Sequence, residues 1–259
     1  MLNVIVIGGG PSGVTAALRA RELGANVTLI ERARLGGTCT NDGCVPTRVL
    51  AKAARLMRDS NDFGKYGLEA ERPVIDFSNL MARVQSTVYR IHEKKQIQNH
   101  LDQAGVQVIT GAGRASFIDA STIQLETGEG LQADRFIIAA GGHPRSFVIP
   151  GGEHTLTIND VWSLRSLPKR IAIIGGSATG CQLASIFASF EAKITLFEMG
   201  NRLLMLEDSI VSESIRRSFI DHGMEVVTGF SGLDRVEKDQ SGLTLFYRTS
   251  EGEKSVEVD

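Results

Sequence analysis

Two thiols and a bare-backbone loop are the parts of this sequence most able to do chemistry. Cys39 and Cys44 stand five positions apart in the run Gly36-Gly37-Thr38-Cys39-Thr40-Asn41-Asp42-Gly43-Cys44-Val45-Pro46-Thr47-Arg48. After Pro46 the residues VLAKAARLMRD are strong helix formers. Thiols at this spacing can bridge with modest local distortion, and the positive end of a helix dipole favours a thiolate placed against it. Three chemistries compete for such a pair. A metal centre needs three or four ligands, and His92, His100, His143, His154 and His222 form no ligand cluster with the cysteines. Two incidental core cysteines are a second reading, because free cysteine is often buried. A redox-active dithiol is the third, the usual role of such pairs in a reducing compartment. Cys181 stands alone on the apolar side of its segment and reads as core.

The second feature occurs twice. Residues 3–32 read NVIVIGGGPSGVTAALRARELGANVTLIER, and residues 170–199 read RIAIIGGSATGCQLASIFASFEAKITLFEM. They align without gaps at an offset of 167, with Gly8 on Gly175, Gly13 on Gly180, Ala17 on Ala184 and Glu31 on Glu198. Each copy is an apolar strand, a glycine turn, a helix and a second strand ending in glutamate, the opening βαβ of a dinucleotide-binding fold. Gly8 permits the turn, Gly10 lets backbone approach a pyrophosphate, and Gly13 lets helix pack on sheet. The helix N-terminus offers N–H groups to phosphate, and Glu31 offers acceptors to ribose hydroxyls. In the second copy Ser177 replaces the middle glycine, to bond the pyrophosphate or to crowd it. Two such sites suggest two cofactors, a held flavin and an exchanging nicotinamide. A carboxylate at Glu198 repels a 2′-phosphate and favours NADH over NADPH; Arg202, four residues on, could soften that preference.

The rest of the chain must position these parts. It has 259 residues, enough for about two domains, and its formal net charge is -2. That balance gives no electrostatic case for nucleic acid or an anionic membrane as main partner. Hydrophobic residues are 42% and charged residues 22%, which excludes disordered and collagen-like classes. No long uninterrupted apolar run suggests a transmembrane helix. The start has no basic leader before Val4-Ile5-Val6-Ile7, so a cytoplasmic location is expected. Three cysteines are too few for a disulfide-stapled secreted fold.

GGTCTNDGCVPTRVL resembles the active-site segment of the class I pyridine nucleotide–disulfide oxidoreductases, and the resemblance runs over the whole chain. It implies an α/β fold of two doubly wound, Rossmann-like dinucleotide-binding domains, with the FAD domain incomplete. Residues 1–145 would form the first part of the FAD-binding domain and 146–259 the NAD-binding domain, with a linker near Ser146–Pro150. FAD would lie along Gly8, Gly10, Pro11, Ser12 and Gly13, with Glu31 on its ribose and Arg32 beside it. Gly37, Thr38 and Gly113 match positions lining the FAD site, and Ala140 and Gly141 end the domain at the cofactor crevice. The nicotinamide would use Gly175, Ser177, Gly180 and Glu198. By the same resemblance Cys44 matches the thiol beside the flavin ring, which forms the charge-transfer contact, and Cys39 matches the interchange thiol that meets substrate.

The sequence departs from the family's pattern in two places. Arg48 stands where lysine is usual and Gln182 where glutamate is usual, the two forming an ion pair beside the flavin in relatives. Keeping the positive charge and losing the negative one implies a more electropositive flavin pocket; the plainer reading is a hydrogen bond between Gln182 and Arg48. Ser177 is the other departure.

The repeat also orders the weaker elements. Gln107–Thr110, Arg114–Phe117 and Ser121–Leu125 read as strands, and Phe136–Ala139 as a return strand introduced by Asp134. Glu225–Thr228, Gly232–Glu237, Leu243–Arg248 and Ser255–Val258 follow in the same order, and Asp259 stands where Asp134 stood. The stretch from about Arg58 to His100 reads as charged and helical. By resemblance such proteins continue for roughly 200 residues with a return segment and an interface domain, and the parent protein would be a homodimer. The expected function is an FAD-containing oxidoreductase passing electrons from NADH through flavin to a Cys39–Cys44 disulfide. A small-molecule or protein-bound disulfide, or a metal ion, would be the acceptor. A flavoprotein without disulfide cycling and a nucleotide-binding module without turnover are the alternatives.

Overall fold

The computed structural model describes residues 1–240 and 242–259. Strand β1 (Asn3–Ile7) buries Val4, Ile5 and Val6 in succession, as expected of a parallel strand covered on both faces. Helix α1 (Pro11–Glu22) starts on Pro11, whose missing N–H costs nothing in a first turn, and turns Gly13 and Ala17 inward. Strand β2 (Asn26–Glu31) follows, then α2 (Gly37–Asn41), α3 (Cys44–Asn61), α4 (Phe77–Lys95), α5 (Ile97–Gln103) and β3 (Gln107–Thr110). Short strands β4 (Ala115–Phe117), β5 (Thr122–Leu125) and β6 (Gly130–Gln132) precede β7 (Arg135–Ile138). Beyond the short helix α6 (Ile158–Val161) come β8 (Arg170–Ile174), α7 (Ala178–Ser189), β9 (Lys193–Glu198), α8 (Ser209–Asp221) and β10 (Glu225–Thr228). The last three strands are β11 (Gly232–Asp239), β12 (Gly242–Thr249) and β13 (Gly252–Val258).

The chain divides into two compact units. The first is Met1–Thr47 with Val84–Pro144, and the second is Arg48–Arg83 with Arg145–Asp259. In the first unit the parallel sheet has the order β3-β2-β1-β7, with Ile5 paired to Thr28 on one side and Phe136 on the other. Its side chains alternate between faces. Val4, Val6, Val27 and Leu29 meet α1 and α5 through Leu101, whereas Ile5 and Ile30 meet Ile123 and Leu125 of the antiparallel β4-β5-β6 sheet. The second unit repeats the plan: a parallel β10-β9-β8 sheet and an antiparallel β11-β12-β13 sheet. Between those two sheets Phe197 stands edge-on to Tyr247 at 4.8 Å and to Phe230 at 5.6 Å.

The repeat persists in the hydrogen bonds at the strand starts. Asp134 accepts from the Asn3 N–H at 2.7 Å and donates its own N–H to Asn3 O. Asp259 makes the same exchange with Arg170, accepting at 3.0 Å. The charged stretch expected to be helical from Arg58 to His100 is in pieces. Helix α3 ends at Asn61, residues 67–76 carry no helix, and Gln96 separates α4 from α5 with a φ of 44. Residues 48–83 belong to the second unit, where Arg58 donates to Ser189 at 2.7 Å and Arg72 pairs with Glu191 at 2.7 Å.

Candidate functional site

The two glycine loops have one geometry. Gly8 and Gly175 leave their strands with φ of 113 and 111, a region closed to most side chains. A Cβ on Gly13 would overlap the Gly8 carbonyl oxygen, and one on Gly180 would overlap the Gly175 carbonyl oxygen. Both helices therefore close onto their strands only because these positions lack side chains. The middle positions differ in kind. Gly10 and Ser177 share an extended conformation, φ -74 against -75, and neither makes a side-chain cap bond. A Cβ on Gly10 would meet only the Gly37 Cα at 3.7 Å, so this position is open, and Ser177 shows that a side chain fits the same backbone.

The strand-end glutamates are tied back to the loops. Glu31 accepts from the Gly9 N–H at 2.7 Å and from the Ala33 N–H at 2.9 Å. Glu198 accepts from the Gly176 and Gly200 N–H groups, both at 2.8 Å. Each carboxylate is thus aimed by two backbone donors and keeps further lone pairs for a ligand hydroxyl. Arg202 holds the carbonyls of Glu207 (2.9 Å) and Met205 (3.0 Å), which commits it to bracing its own loop.

These residues fit a dinucleotide. Gly37 lies so close to Gly10 that a Cβ on it would come within 2.7 Å of the Gly10 Cα, so two bare backbones flank the start of α1. That cradle suits a pyrophosphate and would be filled by any pair of larger residues. Pro11, Ser12, Arg32 and Thr38 are exposed. The Gly113 N–H donates to Arg32 O at 3.2 Å, and a Cβ on Gly113 would overlap the Glu126 carboxylate, so packing alone already demands glycine there. Ala140 and Gly141 are exposed just past β7, and a Cβ on Gly8 would overlap the Ala139 carbonyl oxygen. Arg48 and Gln182 are both exposed, and no hydrogen bond joins them among the described residues.

The thiols sit on two consecutive helices. Helix α2 is a single turn, too short to persist alone, so its neighbours hold it. It is entered through Gly36 at φ 102. Thr40 is fully buried and Asn41 nearly so. Asn41 Nδ2 donates to Leu35 O at 3.1 Å and to Arg34 O at 3.4 Å. The Asp42 N–H returns to Thr38 O at 2.9 Å, and a Cβ on Gly43 would approach that same oxygen to 3.0 Å. The backbone around Gly43 therefore folds onto the turn that carries Cys39. Helix α3 starts on Cys44 itself, two residues before Pro46, with the Thr47 N–H donating to Gly43 O at 3.0 Å. Pro46 lies within that first turn, where a missing donor is harmless. Cys39 is half-buried and Cys44 exposed at the helix start.

Sequence reasoning missed the residues that hold α2. His92 Nε2 lies 2.7 Å from Asn41 Oδ1, and Lys95 Nζ donates to Thr40 Oγ1 at 3.0 Å. The i, i+3 spacing puts both on one face of α4, but nothing in the sequence pairs that face with Asn41. Burial, then the Arg34 and Lys95 cations, push the His92 pKa down. Burial raises that of Asp42, partly opposed by Arg34. Cys181 is buried with its Sγ 3.4 Å from Gly176 O, and burial and then Glu198 push its pKa up to about 11, as suits a packing thiol. His143 is exposed in a loop. Among the described residues no group of three or more His, Cys, Asp or Glu could hold a metal ion, and no helix is long and apolar enough to cross a membrane.

Residues 2–259 match the family model described as pyridine nucleotide-disulphide oxidoreductase. The chain is 31% identical over 259 residues to a dihydrolipoyl dehydrogenase from Zymomonas mobilis, covering 98% of this chain and 55% of that protein. It is 34% identical over 257 residues to a mercuric reductase from Lysinibacillus sphaericus, covering 98% and 46%. It is 30% identical over 268 residues to a glutathione reductase from Yarrowia lipolytica, covering 99% and 57%. The chain thus spans about half the length of the curated relatives it matches. In fold it superposes on the HOCl-induced flavoprotein disulfide reductase RclA from Escherichia coli with a TM-score of 0.78 at 24% identity, over 98% of this chain and 54% of that one.

Proposed function

The chain belongs to the pyridine nucleotide-disulphide oxidoreductase family, and from that premise we propose that it forms the dithiol and nucleotide-binding part of an FAD-dependent, NADH-using disulfide reductase. When bound, FAD and NADH would supply the hydride and electron chemistry. The chain's own residues bind, aim and exchange sulfur. Gly8, Gly10 and Gly13 give the FAD pyrophosphate bare backbone at the start of α1, and Glu31 accepts from its ribose. Gly175, Ser177, Gly180 and Glu198 serve NADH in the same way, with the Glu198 charge set against a 2′-phosphate. Reduction of a Cys39–Cys44 bridge by two electrons and two protons leaves two thiols. The Cys39 thiolate then attacks one sulfur of an acceptor disulfide, forming a mixed disulfide and expelling a thiolate. Cys44 attacks Cys39 Sγ in turn, which restores the bridge and expels the second thiolate. A divalent metal ion is the other acceptor class; its gain of two electrons would be balanced by closure of the two thiolates to the Cys39–Cys44 bridge. A homodimer and a cytoplasmic setting belong to this reading.

The observation that carries it is the folding of the Gly43 backbone onto Thr38, which sets the Cys39 turn against the helix that opens on Cys44. An anaerobic dithionite titration of the FAD-loaded chain tests it. Uptake of roughly two two-electron equivalents per flavin is expected, falling to one in Cys39→Ser and in Cys44→Ser. One equivalent in all three proteins would instead favour a flavoprotein without disulfide cycling. FAD-dependent stabilisation with no reducible bridge would favour a nucleotide-binding module.

A further inference from the structure

The turn that carries Cys39 has no stability of its own, and what fixes it lies on another helix. Asn41 is the last residue of α2 and is almost wholly buried. Its Nδ2 faces the carbonyls of Leu35 and Arg34, which only accept. Its Oδ1 must then face a donor, so His92 Nε2 carries the proton in the 2.7 Å bond between them. A neutral ring in the Nε2–H tautomer meets that demand without a charge. Three residues on, Lys95 Nζ donates to the fully buried Thr40 hydroxyl at 3.0 Å. The two bonds fall on successive residues of α2, immediately after Cys39. A Cβ on Gly36, at the other end of the turn, would touch the His92 ring at 3.1 Å, so the imidazole also limits how far the entry to α2 can shift.

We propose that His92, with Lys95 beside it, is a positioning residue for the dithiol: the α4 face clamps Asn41 and Thr40 and so holds Cys39 where it closes on Cys44. The proposal rests on the reading of Cys39 and Cys44 as a cycling pair. The clamp's two bonds end on Asn41 and Thr40 rather than on a thiol. It acts by restricting the turn, which raises the effective concentration of one thiol at the other. Losing it leaves the reduced chain folded and makes the bridge harder to close.

Equilibration of the whole chain against glutathione buffers tests this without any flavin. Cys39 and Cys44 fall on one tryptic peptide, residues 35–48, whose bridged and alkylated forms separate by mass. His92→Leu removes the donor and is expected to lower the bridging equilibrium constant by about tenfold, the scale of one partly buried hydrogen bond. His92→Gln keeps an N–H donor for Asn41 and is expected to recover most of that loss. An unchanged constant in His92→Leu would overturn the proposal, and so would an equal loss in His92→Gln. Melting curves show whether each variant folds. If His92→Leu does not, Lys95→Met is expected to lower the constant about threefold through loss of the Thr40 bond, and no change there overturns the proposal. A wild-type chain that forms no bridge at any buffer ratio removes the cycling-pair reading, and the proposal with it. Normal bridging that ignores the clamp removes the proposal alone.

Discussion

The carboxylate of Glu31 accepts a 2.7 Å hydrogen bond from the N–H of Gly9, the residue that follows the strand turn. The same bond recurs 167 positions on, from Gly176 to Glu198, at 2.8 Å. The strand-end acid thus ties down its own glycine loop in each unit, so under the proposed function nucleotide binding and loop order would depend on one side chain.

Glu31→Ala removes the acceptor of one part-buried and one exposed backbone donor. It is expected to cost about 1–3 kcal/mol of stability and to weaken FAD binding. Glu198→Ala is expected to weaken NADH binding while leaving FAD affinity unchanged. Fluorescence titration of each nucleotide against each variant checks this; a loss of FAD affinity in Glu198→Ala would contradict the assignment.

Two glycines of the first loop, Gly13 and Gly10, are expected to respond oppositely to a side chain. In Gly13→Ala the new Cβ overlaps backbone that cannot yield, so β1 and α1 should separate and the melting transition collapse. In Gly10→Ser the fold should survive with only a small shift in melting temperature, because Ser177 occupies the same conformation in the second copy. Equal destabilisation by both would refute the distinction between packing glycine and approach glycine.

Ser177 makes no side-chain bond in capping α7, which supports the reading in which its hydroxyl bonds a phosphate rather than crowding it. Ser177→Gly is expected to weaken NADH binding by about fivefold, the scale of one hydrogen bond. Tighter binding in that variant would mean that the serine crowds the ligand. With Arg202 committed to the carbonyls of Met205 and Glu207, NADH is expected to bind about tenfold or more tightly than NADPH. The reverse order by the same titration would contradict the role given to Glu198.

Acid should destabilise the fold around α2, although the imidazolium keeps the Nε2–H that bonds Asn41. The His92 pKa lies below its ordinary 6.5 because burial disfavours the cation and Arg34 and Lys95 repel it. The unfolded chain therefore binds this proton more readily than the folded one. Stability from the neutral ring is complete above about 6.5 and is lost as pH falls through the lower folded value. Melting temperature should thus drop more between pH 7 and pH 5 in the wild type than in His92→Gln. Parallel curves would contradict this.

The parts legible in the sequence were those set by local rules. A buried apolar run, a turn closed to side chains and a helix packed on small residues leave their marks in both copies, so β1-α1-β2 and β8-α7-β9 are readable in the sequence together with their terminal acids. The cysteine spacing was equally plain. Residues 58–100 were legible only in part: α4 and α5 are helical as read, but helix formers such as Glu69, Ala70 and Glu71 fall in a segment without helix, ahead of Pro73, and a left-handed Gln96 separates α4 from α5. The clamp from His92 and Lys95 to Asn41 and Thr40 joins residues some fifty positions apart. It depends on tertiary packing that no periodicity reveals.

Whether nicotinamide-derived electrons reach the two sulfurs is read by differential alkylation of the oxidised, FAD-loaded chain before and after anaerobic NADH. Cys39 and Cys44 are expected to change together from protected to alkylated, two thiols for each NADH consumed, while Cys181 is unaffected. NADH oxidation that leaves peptide 35–48 bridged, or no bridge in that peptide beforehand, would contradict it.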